Sequence, residues 1–155
     1  MRKIYLALHN IRSVHNVGSI FRTADATGVA EVLLCGITPT PIDRFGRARK
    51  DLAKVSLGAE KNVPWKQWEH IDEVITHYKN KKIPIVAVEQ TQKSVPYHTF
   101  VSDTDILLIV GEETKGLPES VLKRCDTVVE IPMKGRKESL NVSIATGVVL
   151  FRFIE

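Results

Sequence analysis

Three short stretches of the chain hold the residue types that polar chemistry needs. In "NVGSIFRTADATG", Val17, Ile20, Phe21, Ala24 and Gly28 recur at helical spacing, which turns Arg22 toward a different face. An arginine so placed is either plainly solvated or aimed into a cleft, where its planar fork holds a phosphate or a hydroxyl. Asn16, near the start of the run, is suited to cap the helix or to orient such a group.

The second stretch is "LLIVGEETKGLP", where Gly111 and Gly116 bracket Glu112 and Glu113 directly after an apolar run. Glycines there permit positive φ and a close approach of backbone to ligand, though a plain turn with two solvated glutamates has the same letters. It is not a phosphate-binding P-loop, because the glycine spacing before Lys-Ser/Thr is absent and two carboxylates repel phosphate. A sugar hydroxyl or a cationic ligand suits it better. In the third, "EIPMKGRKESLN", Ile131, Pro132 and Met133 offer backbone and apolar contacts to a flat ring. Ser139 and Asn141 then cap a helix, touch a ligand, or do both. None of the three stretches alone names a reaction.

The elements that must position these residues alternate between strand and helix. "KIYLALHN", "VAEVLLCG", "IPIVAVE", "TDILLIVG" and "TVVEIP" read as strands, and the unbroken apolar run of "TDILLIVG" predicts burial on both faces. Helices are predicted over "HNVGSIFRTADATG", ended by Gly28, over "EHIDEVITHYKNKK", over "PESVLKRC" with Pro118 at its start, and from about Asn141 onward. "ITPTPIDRFGRARKDLAKVSLGAEKNVPW" reads as long loops with one short helix. The alternation predicts an α/β domain with a mainly parallel sheet, whose ligands sit at the carboxyl ends of the strands. The final helix carries Ile144, Val148, Val149, Phe151 and Phe153 on more than one face, which predicts burial beyond what one sheet face requires.

A chain of 155 residues with 43% apolar and 26% charged side chains fits one domain that buries a core without disulfides or metals. The net charge of +4 permits an anionic partner without demanding one. The cations are grouped: Arg44, Arg47, Arg49, Lys50 and Lys54; Lys79, Lys81 and Lys82; and Lys134, Arg136 and Lys137. The middle group reads as cations near a helix end. Cys35 and Cys125 lack any metal-binding spacing and read as buried thiols, so no metal is expected. No apolar run has membrane-spanning length and the start is no secretory signal, so a cytoplasmic protein is expected.

Taken together and in order, the three stretches resemble the SPOUT methyltransferases, in particular the SpoU (TrmH-like) branch of RNA ribose 2′-O-methyltransferases. The branch's motifs are matched by "NVGSIFRTADATG", "GEETKG" and "SLNVSIA", and the likeness runs over nearly the whole chain. The resemblance implies a SPOUT-type fold with a C-terminal trefoil knot, S-adenosyl-L-methionine bound in that knot, and a homodimer that completes the active site. One methyltransferase domain is expected over residues 1–155, and here the chain departs from many relatives, which carry an additional RNA-binding domain or helical extensions.

By position, the resemblance makes Arg22 the catalytic arginine and Asn16 its motif partner. Glu113 becomes the second-motif acid, and Ser139 and Asn141 the third-motif polar residues. Cofactor contacts fall to Glu89, Gln90, Thr91, Gly111, Glu113, Gly116, Ile131, Pro132, Met133, Ser139 and Leu140. A guanidinium holds its proton at neutral pH, so Arg22 either sits deprotonated in an unusual site or positions the 2′-hydroxyl and its adjacent phosphate. Arg44, Arg47, Arg49 and Lys50, with Lys134, Arg136 and Lys137, become an RNA surface. The implied substrate is tRNA or rRNA, with tRNA favoured. Two other classes fit parts of the pattern: an RNA-binding protein of the same fold without activity, and a small-molecule methyltransferase, which leaves the basic groups unused.

Overall fold

The structure is a computed structural model that describes residues 1–155. Its frame is a parallel sheet of seven strands: β1 (Ile4–His9), β2 (Glu31–Cys35), β3 (Trp65–Trp68), β4 (Ile85–Val88), β5 (Val95–Pro96), β6 (Ile106–Val110) and β7 (Thr127–Glu130). The spatial order is β3-β2-β1-β6-β4-β7-β5, and every pairing is parallel. β6 lies between β1 and β4 and is buried at all five positions, as its continuous apolar run requires.

Helices cover both faces. Leu6 and Leu8 point into one apolar layer with Val17, Ile20 and Phe21 of α1 (Val14–Thr27) and Val149, Leu150 and Phe153 of α6 (Val142–Phe153). α2 (Lys50–Ser56) and α3 (Ala59–Asn62) add Leu52 and Ala59 to that layer. Ala7 and Leu33 point the other way, toward Ile71, Val74, Ile75 and Tyr78 of α4 (Ile71–Asn80) and Val121 of α5 (Glu119–Leu122). The period-two alternation along β1 therefore serves both layers at once.

Several boundaries differ from the sequence reading. α1 begins after Ser13, whose hydroxyl accepts the Asn16 backbone N–H at 3.1 Å, so Asn16 is inside the helix and does not cap it. Gly28 ends α1 in the left-handed region (φ 70°), as predicted. The stretch read as loops with one short helix contains two helices, α2 and α3, and its last residue, Trp65, begins the edge strand β3. Pro118 precedes α5 as its cap. Lys79 and Lys81 do lie at the end of α4. Cys35 is buried and Cys125 only partly so; both are free, and burial pushes their thiols up to about 12 and about 11. No helix is long and apolar enough to cross a membrane.

Candidate active site

The carboxyl ends of β4, β6 and β7 and the start of α6 surround one cavity of about 220 Å³. Because the strands are parallel, the loops that follow them converge on one edge of the sheet. Val88, Glu89 and Gln90 line it from β4, and Gly111 to Gly116 from β6. Glu130, Ile131 and Met133 line it from β7, and Ser139, Leu140, Val142 and Ala145 from the approach to α6. Of the expected cofactor residues, Thr91 and Pro132 lie outside the lining. Thr91 is tied into a local turn, its N–H donating to Ser94 Oγ at 3.1 Å. Val88, Val110, Glu112, Thr114, Lys115, Glu130, Val142 and Ala145 belong to the lining and were not among the expected cofactor residues.

The two loop glycines are needed by the protein's own packing. A Cβ on Gly111 would stand 2.7 Å from the Gly116 carbonyl carbon and 2.8 Å from the Leu117 nitrogen. Gly116 is left-handed (φ 65°), and a Cβ there would collide with the Glu89 carboxylate. That carboxylate accepts the Leu117 N–H at 2.9 Å and so buckles the β4 loop to the β6 loop. Gln90 extends the tie, donating through Nε2 to the Glu138 carbonyl at 2.6 Å.

Beside the cavity the three sequence stretches meet in one polar chain. Glu113 reaches the open start of α1, where it accepts the N–H groups of Ser13 at 3.2 Å and Arg12 at 3.4 Å. A carboxylate is favoured there by the unpaired N–H groups and the helix dipole. Asn16, 6% exposed, donates through Nδ2 to Glu113 Oε1 at 3.3 Å and accepts through Oδ1 from Asn141 Nδ2 at 3.1 Å. Asn141 Oδ1 in turn accepts the Ser143 N–H at 2.9 Å and the Ser143 hydroxyl at 2.6 Å, capping α6. Partial burial pushes the Glu113 carboxyl up, but bonds from its own N–H, Ser13, Asn16 and Arg12 together hold it below the usual carboxylate value.

The cap of α6 is therefore Asn141. Ser139 is exposed and lines the cavity instead. Arg22 is exposed on α1, outside the lining of its own chain's cavity and with no side-chain partner. Sequence reasoning passed over Ser13 and Ser143; the signal for Ser13 was the ordinary N-cap pattern three residues before Asn16. Among the basic residues, Arg44, Arg47, Lys50, Lys134, Arg136 and Lys137 are exposed. Arg49 is half-buried, with Nε 3.5 Å from Asp51.

Residues 3–151 match the SpoU rRNA Methylase family. The chain is a member of the SpoU family. It is 30% identical over 149 residues to the 23S rRNA (guanosine-2′-O-)-methyltransferase RlmB of Acinetobacter baylyi, covering 96% of this chain and 58% of that protein. An AdoMet-bound rRNA methyltransferase from Sinorhizobium meliloti superposes with a TM-score of 0.85 at 30% identity, over 97% of this chain and 55% of that one. The A. aeolicus TrmH/SpoU tRNA modifying enzyme superposes at 0.84 with 26% identity, over 98% and 74%. This SpoU chain spans little more than half the length of the curated relatives it matches. Its sheet, its helical layers and the order of its motifs are those of the SpoU fold that the resemblance implied.

Proposed function

We propose that the chain transfers a methyl group from S-adenosyl-L-methionine to a ribose 2′-hydroxyl of tRNA or rRNA, and that it acts as a homodimer. The observation that carries this is the Glu113–Asn16–Asn141 chain, which ties the helix bearing Arg22 to two of the loops around the cavity. Relatives named for rRNA and for tRNA both stand close, which supports either RNA as the substrate.

The cavity fits the cofactor by charge and by surface. Glu89, Glu112, Glu113 and Glu130 outnumber Lys115 in its wall, which suits a cationic sulfonium. Ile131, Met133, Leu140, Val142 and Ala145 supply an apolar side for a purine ring. When bound, S-adenosyl-L-methionine supplies a methyl group on positively charged sulfur, which leaves neutral as an attacking oxygen takes the methyl. The chain's own task is alignment, a contribution on the order of ~7–11 kcal/mol when fully realised. Glu113 and Asn16 hold the start of α1 against the cavity loop. Arg22, on the same helix, would hold the 2′-hydroxyl or its neighbouring phosphate while that hydroxyl gives up its proton to water.

Arg22 does not line its own chain's cavity, and this supports a site completed by a second copy. Ile144 and Phe151, 55% and 51% exposed on α6, supply an apolar face for that contact. The exposed cations on the β2–α2 loop and in Lys134–Lys137 supply an RNA surface. The test is incubation with labelled S-adenosyl-L-methionine and total RNA, followed by mapping of the labelled nucleotide in separated tRNA and rRNA. Label on a ribose 2′-oxygen supports the reading, whereas an unlabelled RNA pool with cofactor binding intact refutes it.

A further inference from the structure

We propose that Phe45, at the tip of the loop between β2 and α2, is a stacking platform for one unpaired base of the RNA. The inference rests on the RNA-directed reading above and deepens it from a charged surface to a particular ring. The tip is a built turn. An antiparallel bridge pairs Ile42 with Ala48, and the Asp43 N–H donates to the Arg47 carbonyl at 2.8 Å. The Asp43 carboxylate accepts the N–H groups of Phe45 at 2.8 Å and Arg47 at 3.0 Å, and Gly46 takes the left-handed conformation (φ 78°) that the turn needs. The Phe45 backbone is thus held from within the turn, while the residue is 66% exposed and belongs to neither apolar layer.

A single exposed aromatic is ordinary on a protein surface and carries nothing alone. What sets this one apart is its company. The Arg44 guanidinium carbon lies 4.8 Å from the ring centroid and that of Arg47 lies 5.4 Å from it, and neither pairs with a carboxylate. Two guanidiniums without carboxylate partners, both over the ring of a residue that stays 66% exposed, match what single-stranded RNA presents: a base face, which stacks on a ring or a guanidinium plane, and phosphates alongside. Duplex RNA has its base faces covered, and an acidic peptide would use the cations but leave the ring unused. The turn follows β2, and the cavity takes its second-motif loop from β6; only β1 lies between these strands. Both loops therefore leave the same edge of the sheet, from strands about 10 Å apart.

The experiment measures binding of a short single-stranded RNA carrying 2-aminopurine, whose emission falls on stacking, by the wild-type chain and by Phe45→Ala, Phe45→Trp, Phe45→Leu and Arg44→Ala. Phe45→Ala is expected to weaken binding by about 5- to 150-fold and to abolish the quenching, with its salt dependence unchanged. Phe45→Trp restores both and Phe45→Leu does not. Arg44→Ala instead lowers the slope of log affinity against log salt by ~0.7. Annealing the complement removes the dependence on Phe45. Binding by Phe45→Ala within twofold of wild type overturns the proposal, as does full rescue by leucine or a Phe45 dependence that persists on duplex. Methyl transfer is read on the same proteins. Phe45-dependent binding without any label refutes the methyltransferase reading and leaves the platform standing. Label transfer whose KM ignores Phe45 refutes the platform alone, and failure of the wild-type chain to bind RNA refutes both.

Discussion

Replacing Asn16 tests whether the polar chain beside the cavity is a structural junction. Asn16→Ala deletes one hydrogen bond to a charged carboxylate and one between amides, at 3.3 and 3.1 Å, in a position 6% exposed. A bond to a charged group contributes ~1.5–3 kcal/mol and a neutral one ~0.5–1.5, so the loss is about 2–4.5 kcal/mol. For a domain of this size that lowers Tm by about 4–18 °C. Asn16→Asp keeps the shape but turns the donor facing Glu113 into an acceptor. In the wild type Glu113 is held below its ordinary value, so its stabilisation is present above the unfolded pKa and is lost as pH falls through the folded one. In Asn16→Asp the two carboxyls raise each other, and the stability they leave is greatest at acid pH and falls as pH rises through the carboxylate range. The two variants should therefore separate at pH 7, with Asn16→Asp the less stable, and converge toward pH 4. Thermal unfolding followed by circular dichroism between pH 4 and 8 reads this. An Asn16→Ala melting temperature within a degree of wild type, or an Asn16→Asp deficit that does not change with pH, would refute the reasoning.

Gly116→Ala places a side chain in the left-handed region and against the Glu89 carboxylate, so it should cost about 1–3 kcal/mol and weaken cofactor binding measured by calorimetry. Phe151→Glu on the exposed face of α6 should dissociate the proposed homodimer. A symmetric interface counts each substitution twice, at ~1.5–3 kcal/mol per buried ring, which weakens association by about 10²- to 10⁴-fold in light scattering. Arg22→Lys keeps the charge and loses the fork, and is expected to lower single-turnover methyl transfer by about 10²-fold or more; near-normal turnover would mean that no guanidinium is needed.

The elements with strong periodicity were legible in the letters. β6 announced itself by an apolar run without interruption, and α1 by Val17, Ile20, Phe21 and Ala24 followed by Gly28. β3 was not legible, because "WKQW" has half-exposed tryptophans around an exposed Lys-Gln pair and gains its strand from the backbone of β2. β5, two residues at the sheet edge, offers no pattern to read. The same division holds at the site. The motif residues could be named, but Asn16 was open to two uses, and its partners lie 97 and 125 positions away. Ser139 and Asn141 looked interchangeable as caps, and only the geometry of the α6 start separates them. The glycines of "GEETKG" suggested an approach to a ligand, while their packing shows that Gly111 makes room for the loop's own backbone.

The strand order explains why residues so distant in sequence share one junction. β1 and β6 are neighbours, so the turn into α1 and the second-motif loop leave the sheet side by side, and Glu113 meets the start of α1. β4 pairs with both β6 and β7, so the loops after all three open onto one cavity. α6 packs on the same face as α1, which brings Asn141 within reach of Asn16. A displacement of the second-motif loop would thus pull on Glu113, on the first turn of α1, and through Asn16 on the cap of α6. The helix that carries Arg22 is fixed at its first turn to a wall of the cavity, and this gives the second-motif loop a direct mechanical hold on the arginine's position.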